Sequence, residues 1–124
     1  MEPCTSYGEK LLREIMKLKY GDEPVLYNDR PPWLMSPHTW RNLELDIYFP
    51  YKGEAWEFNG KGHVGINDND KSRLCQEMNV DLHCISHEGL SALCKLLPAN
   101  RDRDDLLLRI EKYQKCKFKN STTA

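Results

Sequence analysis

Asp46 and Glu57 are two acids that one hairpin would set face to face. The runs Glu44-Leu45-Asp46-Ile47-Tyr48-Phe49 and Glu54-Ala55-Trp56-Glu57-Phe58-Asn59-Gly60 flank Pro50-Tyr51-Lys52-Gly53, which holds turn-forming residues. Turning there pairs 49 with 54, 47 with 56, 46 with 57 and 45 with 58, and opposed residues share a face. One face then carries Leu45, Ile47, Trp56 and Phe58; the other carries Glu44, Asp46, Glu57 and Asn59. Alternating charge is the ordinary look of a solvated strand face. Exposed cross-strand pairs favour opposite signs, however, and here two acids would stand with Cβ atoms about 5 Å apart. A cation between them relieves the repulsion. Mg²⁺ suits the spacing, being a hard ion held by one or two carboxylates, water and phosphate oxygens. Such a pair looks like half of a metal-dependent phosphodiesterase site.

Other residues fit that chemistry. On a helix at about 100° per residue, Glu9 and Glu14 flank the apolar stripe symmetrically, so either can lean over the sheet as a third carboxylate. Lys71 and Lys61 are the candidates for a positive group that stabilises charge building on a phosphate. For Lys71 the plain alternative is a lysine that buries its stem and carries its charge out to water. His63, whose charge changes near neutral pH, suits a general base, a leaving-group acid or a phosphate contact.

The elements that must position these groups are readable from periodicity. Leu11, Leu12, Ile15, Met16 and Leu18 recur at helical spacing over residues 9–19, with Thr5 or Ser6 as cap and Gly21 as stop. Val25-Leu26-Tyr27 predicts a short strand. Residues 28–42, with Pro31, Pro32 and Pro37, predict a loop packed on the body through Trp33, Leu34 and Trp40. Gly60 to Asn67 reads as a loop, and Asp68 to Asn79 as a helix with Leu74, Cys75, Met78 and Lys71 on its inner stripe. Val80 to Ser86 reads as a strand with Cys84 buried, Leu90 to Leu97 as a short helix or loop, and Asp102 to Lys117 as a last helix. The order α-β-β-β-α-β-α predicts an α/β fold, a small mixed sheet with helices on its faces.

The chain has 124 residues, room for a single domain, with a core over about 6–86 and a helical extension over about 87–119. A formal net charge of −1 with 30% charged residues gives no bulk attraction to nucleic acid, so any such binding needs a local basic surface. No apolar run is long enough for a membrane span, and residues 1–8 lack the apolar stretch of a signal peptide, so the expectation is a soluble intracellular protein. Cys4, Cys75, Cys84, Cys94 and Cys116 make an odd set without metal-ligand spacing, which favours reduced thiols over zinc or disulfides.

Five motifs occur in one order: Ser6-Tyr7-Gly8-Glu9; Arg30-Pro31-Pro32-Trp33-Leu34; Arg41-Asn42-Leu43-Glu44-Leu45-Asp46; Glu57-Phe58-Asn59-Gly60 with His63; and Asp68-x-x-Lys71 followed by Cys75. In these the chain resembles the restriction-endonuclease-like nucleases of the PD-(D/E)XK superfamily, over residues 6–86. It is most similar to small stand-alone members in large DNA viruses and bacteria that resemble very-short-patch-repair nicking endonucleases. The resemblance implies an αβββαβ core and Mg²⁺-dependent cleavage of nucleic acid, DNA before RNA, with Mn²⁺ able to substitute. It favours Glu9 over Glu14. It places Asp46, Glu57 and the backbone carbonyl of Phe58 on the metal, Glu9 on its water shell, and Lys71 or His63 in the basic role. Asn59, Lys61 and Arg41 are implied as nucleic-acid contacts. Asn59 stands where the superfamily usually has lysine, and Gly62 and Val64 replace residues common beside His63. Asp46→Ala is expected to keep the fold and abolish Mg²⁺-dependent cleavage. The rival expectations are a non-cutting nucleic-acid-binding module using Lys112, Lys115, Lys117 and Lys119, a protein-docking domain built on Trp33 and Trp40, and a Holliday-junction resolvase, which needs a homodimer.

Overall fold

Ser6 opens the first helix. Its hydroxyl accepts from the Glu9 backbone N–H at 3.1 Å, satisfying one of the donors a helix start leaves unpaired. Helix α1 (Tyr7–Tyr20) follows and stops at Gly21, whose φ of 60° and N–H to the Lys17 carbonyl close the last turn. The computed structural model describes residues 6–59 and 66–122. Strands β1 (Leu26–Asp29), β2 (Leu45–Phe49) and β3 (Glu54–Asn59) come next, then helix α2 (Ile66–Glu77) and strand β4 (Asp81–Ser86). Helices α3 (Gly89–Lys95) and α4 (Arg101–Thr122) complete the chain.

The sheet has the order β1-β2-β3-β4, antiparallel between β1 and β2 and between β2 and β3, and parallel between β3 and β4. A parallel neighbour needs a crossover, and α2 supplies it. The fold is therefore α/β, with four helices and a four-stranded mixed sheet among the described residues. The hairpin register Ile47↔Trp56, Tyr48↔Ala55 and Phe49↔Glu54 is as expected, but the ladder ends there, and the expected pairs 46–57 and 45–58 are not part of it. Its turn closes on the Phe49 carbonyl, which accepts from Lys52 and Gly53. Gly53 takes φ 64°, and a Cβ there would stand 3.0 Å from the Asn79 carbonyl oxygen.

Two apolar clusters lie on the sheet. Leu11, Leu12, Ile15 and Met16 of α1 pack with Ile47, Phe49 and Trp56, and Leu90, Cys94, Leu97, Leu106 and Ile110 close that cluster. The helices after residue 87 thus belong to the main core. On the acid-bearing face, Leu34, Leu43, Leu45, Ala55, Cys75 and Val80 form the second cluster, with Trp33 and Tyr48 against it. Leu45 departs from its expected grouping with Ile47. The preceding loop folds back, Leu43 N–H bonding the Leu34 carbonyl, and takes Leu45 into its own cluster.

Further differences have local causes. Met78 is exposed, not inward, because α2 has ended and Asn79 at φ 58° turns the chain away. Leu18 is also partly exposed at the edge of its stripe. Cys84 is exposed because β4 is an edge strand, whereas Cys75 and Cys94 are buried free thiols. Trp33 and Leu34 pack as expected, but Trp40 does not; it is 77% exposed. Among the described residues no helix is long and apolar enough to cross a membrane.

Candidate functional site

Helix α1 reaches the acids because Gly8 lets it come close. A Cβ on Gly8 would lie 2.3 Å from the Phe58 ring, so only glycine allows this approach of helix to strand. The next residue, Glu9, meets Asp46 in a carboxylate–carboxylate hydrogen bond and accepts from Arg13 Nη2 at 3.2 Å. Burial, then the Asp46 charge, lift the Glu9 carboxyl from its ordinary 4.5 to about 7, against the pull of Arg13. Asp46 is also raised by burial, while Lys71 and the Phe58 N–H, 3.4 Å from its Oδ2, favour its charged form. Two carboxylates this close disfavour carrying two charges at once.

Glu57 has a different partner. Lys71 Nζ donates to its Oε1 at 2.7 Å, both side chains being largely buried at 15% and 12% exposure. Lys71 also acts on Asp46. Lys71 thus brings positive charge to both acids. One turn along α2 lies Cys75, its thiol pushed up to about 11 by burial and then by the Glu57 charge. That shift keeps it a neutral packing group rather than a nucleophile.

Around the acids runs a network not anticipated as part of the site. Arg13 donates to Asn28 Oδ1 as well as to Glu9, and its guanidinium lies 4.3 Å from the Tyr27 ring centroid. Asn28 Nδ2 donates to Glu44 Oε1 at 2.9 Å, and Arg30 Nη2 pairs with Glu44 Oε2 at 3.2 Å. The β1–β2 register, Tyr27↔Ile47 and Asp29↔Leu45, puts Asn28 opposite Asp46, where it adopts φ 52°. Glu9 and Arg13 at i, i+4 were the readable signal for this network.

Of the expected site residues, Glu9, Asp46, Glu57 and Lys71 come together. Glu14 goes elsewhere, in a two-pronged pair with Arg109 of α4 at 2.8 and 2.9 Å. Phe58 meets Asp46 through its backbone N–H, 3.4 Å from Oδ2. Asn59 lies in the ladder opposite Ser86. Arg41 is exposed, and its guanidinium makes no ion pair among the described residues. Lys61 and His63 lie outside the described residues. Among the described residues no group of three His, Cys, Asp or Glu side chains is arranged to hold a metal. The oxygen donors that stand in contact are Glu9 and Asp46, two crowded carboxyl groups of the type a hard divalent ion takes.

These features define an α/β protein with a buried acid–lysine cluster where α1 and α2 meet β2 and β3. No protein-family model and no solved structure gives a significant match to the chain. Over 39 residues it is 46% identical to Uncharacterized protein 033L of Invertebrate iridescent virus 3, a stretch covering 32% of this chain. The match covers 20% of that viral protein's own length.

Proposed function

We propose that this chain is a metal-dependent endonuclease with a restriction-endonuclease-like core, hydrolysing nucleic-acid phosphodiester bonds and preferring DNA to RNA. The feature that carries the reading is the contact of the largely buried Glu9 and Asp46 carboxyl groups beside the Lys71–Glu57 ion pair. Such a contact takes up a cation at little cost. The run α1-β1-β2-β3-α2-β4, a three-stranded meander followed by a parallel crossover, accords with the core that the sequence motifs imply.

Glu9 and Asp46 would hold the Mg²⁺. When bound, the ion supplies Lewis acidity and a water of lowered pKa. The chain's own residues do the rest. Arg13 holds Glu9 over Asp46 and balances its charge. Lys71, fixed by Glu57, directs an ammonium donor toward the phosphate oxygens and stabilises charge that grows during attack. Glu57 here acts mainly as the positioning residue for Lys71, and its direct ligation of metal requires that pair to open.

The test is incubation of the purified chain with labelled single-stranded, duplex and branched DNA and RNA, in Mg²⁺, Mn²⁺ or chelator. Cleavage that needs the divalent ion and disappears in Asp46→Asn supports the reading. One observation favours a second reading, a non-cutting nucleic-acid-binding module: the Glu57–Lys71 pair already neutralises the cation the chemistry would use. Salt-dependent binding without cleavage, indifferent to Asp46→Asn, would establish that alternative.

A further inference from the structure

The excursion from Leu34 to Leu43 is built to hold one aromatic ring in solvent. Its base is closed by the Leu43 N–H to Leu34 carbonyl bond and by the Met35↔Asn42 bridge. Its tip is wound around buried Ser36. The Ser36 Oγ accepts from the His38 and Thr39 N–H groups, the Ser36 N–H bonds the Arg41 carbonyl, and the Trp40 N–H bonds the Ser36 carbonyl. These bonds hold Trp40 at φ 59°, a left-handed conformation that bulky residues rarely take, with 77% of its surface exposed. A backbone that bears this strain to expose an indole points to a use for the indole.

The loop is also tied to the elements that carry the acids. Arg30 ties its lower end to Glu44 and to the Asn42 carbonyl, and Asn42 Nδ2 reaches the Pro31 carbonyl. On its far side His38 Nε2 lies 3.0 Å from Asp70 Oδ2. Asp70 immediately precedes Lys71. The excursion is thus fastened at both sides of the acid-bearing face, and around Trp40 stand exposed His38, Thr39 and Arg41. A flat apolar ring rimmed by cationic and polar groups suits a nucleobase with its phosphate better than a broad apolar protein surface.

We infer that Trp40 is a stacking platform for an unpaired nucleobase, and that the chain's substrate is single-stranded or locally unpaired nucleic acid. This rests on the proposed action on nucleic acid. Bases inside an intact duplex have no free face, whereas gaps, flaps and single strands offer one without the cost of unstacking.

Anisotropy titrations in chelator test it with labelled single-stranded, gapped and fully paired DNA, on wild type, Trp40→Ala and Trp40→Phe. Trp40→Ala should weaken binding to single-stranded and gapped DNA by about 5- to 100-fold. It should change duplex binding by less than about 2-fold, and Trp40→Phe should retain most of the affinity. Trp40→Asn, which tolerates the left-handed conformation, should raise Tm while losing the same affinity, a combination a merely structural tryptophan cannot give. Equal binding of all three DNAs by Trp40→Ala and wild type overturns the inference, as does an equal loss on all three. If duplex is still cut in Mg²⁺ in either case, stacking falls and the nuclease reading stands. If Trp40 governs binding but nothing is cut, stacking stands and the nuclease reading falls. A wild-type chain that neither binds these DNAs in chelator nor cuts them in Mg²⁺ refutes both.

Discussion

Glu9 and Lys71 carry opposite kinds of charge stress, and each gives a measurable consequence. Folded Glu9 holds its proton to about 7, while in the unfolded chain it lets go near 4.5. Between those values the native state binds the extra proton, so this group's contribution to stability falls as pH rises. Below 4.5 the contribution is fully present, and above about 7 it is gone. Metal-free urea denaturation across that window should therefore show a downward slope that Glu9→Gln flattens; an unchanged slope would mean Glu9 titrates normally. Lys71 and Glu57 stabilise each other out of water. Lys71→Met takes the ammonium partner from a largely buried carboxylate and should cost about 2–4 kcal/mol, with Lys71→Met/Glu57→Gln recovering most of it. Additive losses in that double-mutant cycle would show that the pair is not coupled. The same pair separates two roles for Glu57. Mn²⁺ affinity should survive Glu57→Gln within about 5-fold and fall by about 100-fold or more in Asp46→Asn.

Helix α1 decides where the acids meet, and the deciding position has no side chain. Gly8→Ala would drive a methyl group into the Phe58 ring, which must move or force the helix outward. Overpacking of this kind costs about 1–3 kcal/mol, and here it also draws Glu9 away from Asp46. We expect Gly8→Ala to lower both Tm and divalent-ion affinity; a variant with unchanged stability would show that the ring yields freely. Elements of this sort were only partly legible in the sequence. The hairpin register was readable because strand alternation and one turn determine which residues share a face, and Ile47↔Trp56 follows. The choice between Glu9 and Glu14 was not readable from periodicity, since both flank the stripe equally. The difference is made by Arg109, 95 residues further on, which takes Glu14. Lys71 was legible as an inward lysine, but its bond to Glu57 depends on how the crossover helix lies on the sheet. Trp40 read as a packing residue because Ser36-Pro37-His38-Thr39 contains no glycine or asparagine to announce a left-handed turn.

At the scale of the molecule, the cluster joins both faces of one small sheet. Glu9 comes from the helical layer of the larger core, Asp46 and Glu57 from the central strands, and Lys71 from the crossover helix above the second core. A ligand that draws these groups together therefore acts on the whole folding equilibrium. A divalent ion bound by the native state alone stabilises it by RT ln(1 + [L]/Kd), about 2.7 kcal/mol when the ion is at 100 times its Kd. For a domain of this size that corresponds to a rise in Tm of roughly 5–15 °C. Mn²⁺ at pH 7.5 should produce such a rise in wild type, and the response should shrink as pH falls through 7, where Glu9 recovers its proton and competes with the ion. Asp46→Asn should abolish the shift. Without metal it should also be no less stable than wild type, because it relieves the crowding of two carboxylates. Glu14→Gln, whose target pairs with Arg109 away from the acids, should keep the full metal response even though it weakens the α1–α4 contact. A thermal shift that persists in Asp46→Asn, or that ignores pH across this range, would place any bound ion elsewhere in the molecule and leave the paired carboxylates as structural partners of Arg13 and Lys71.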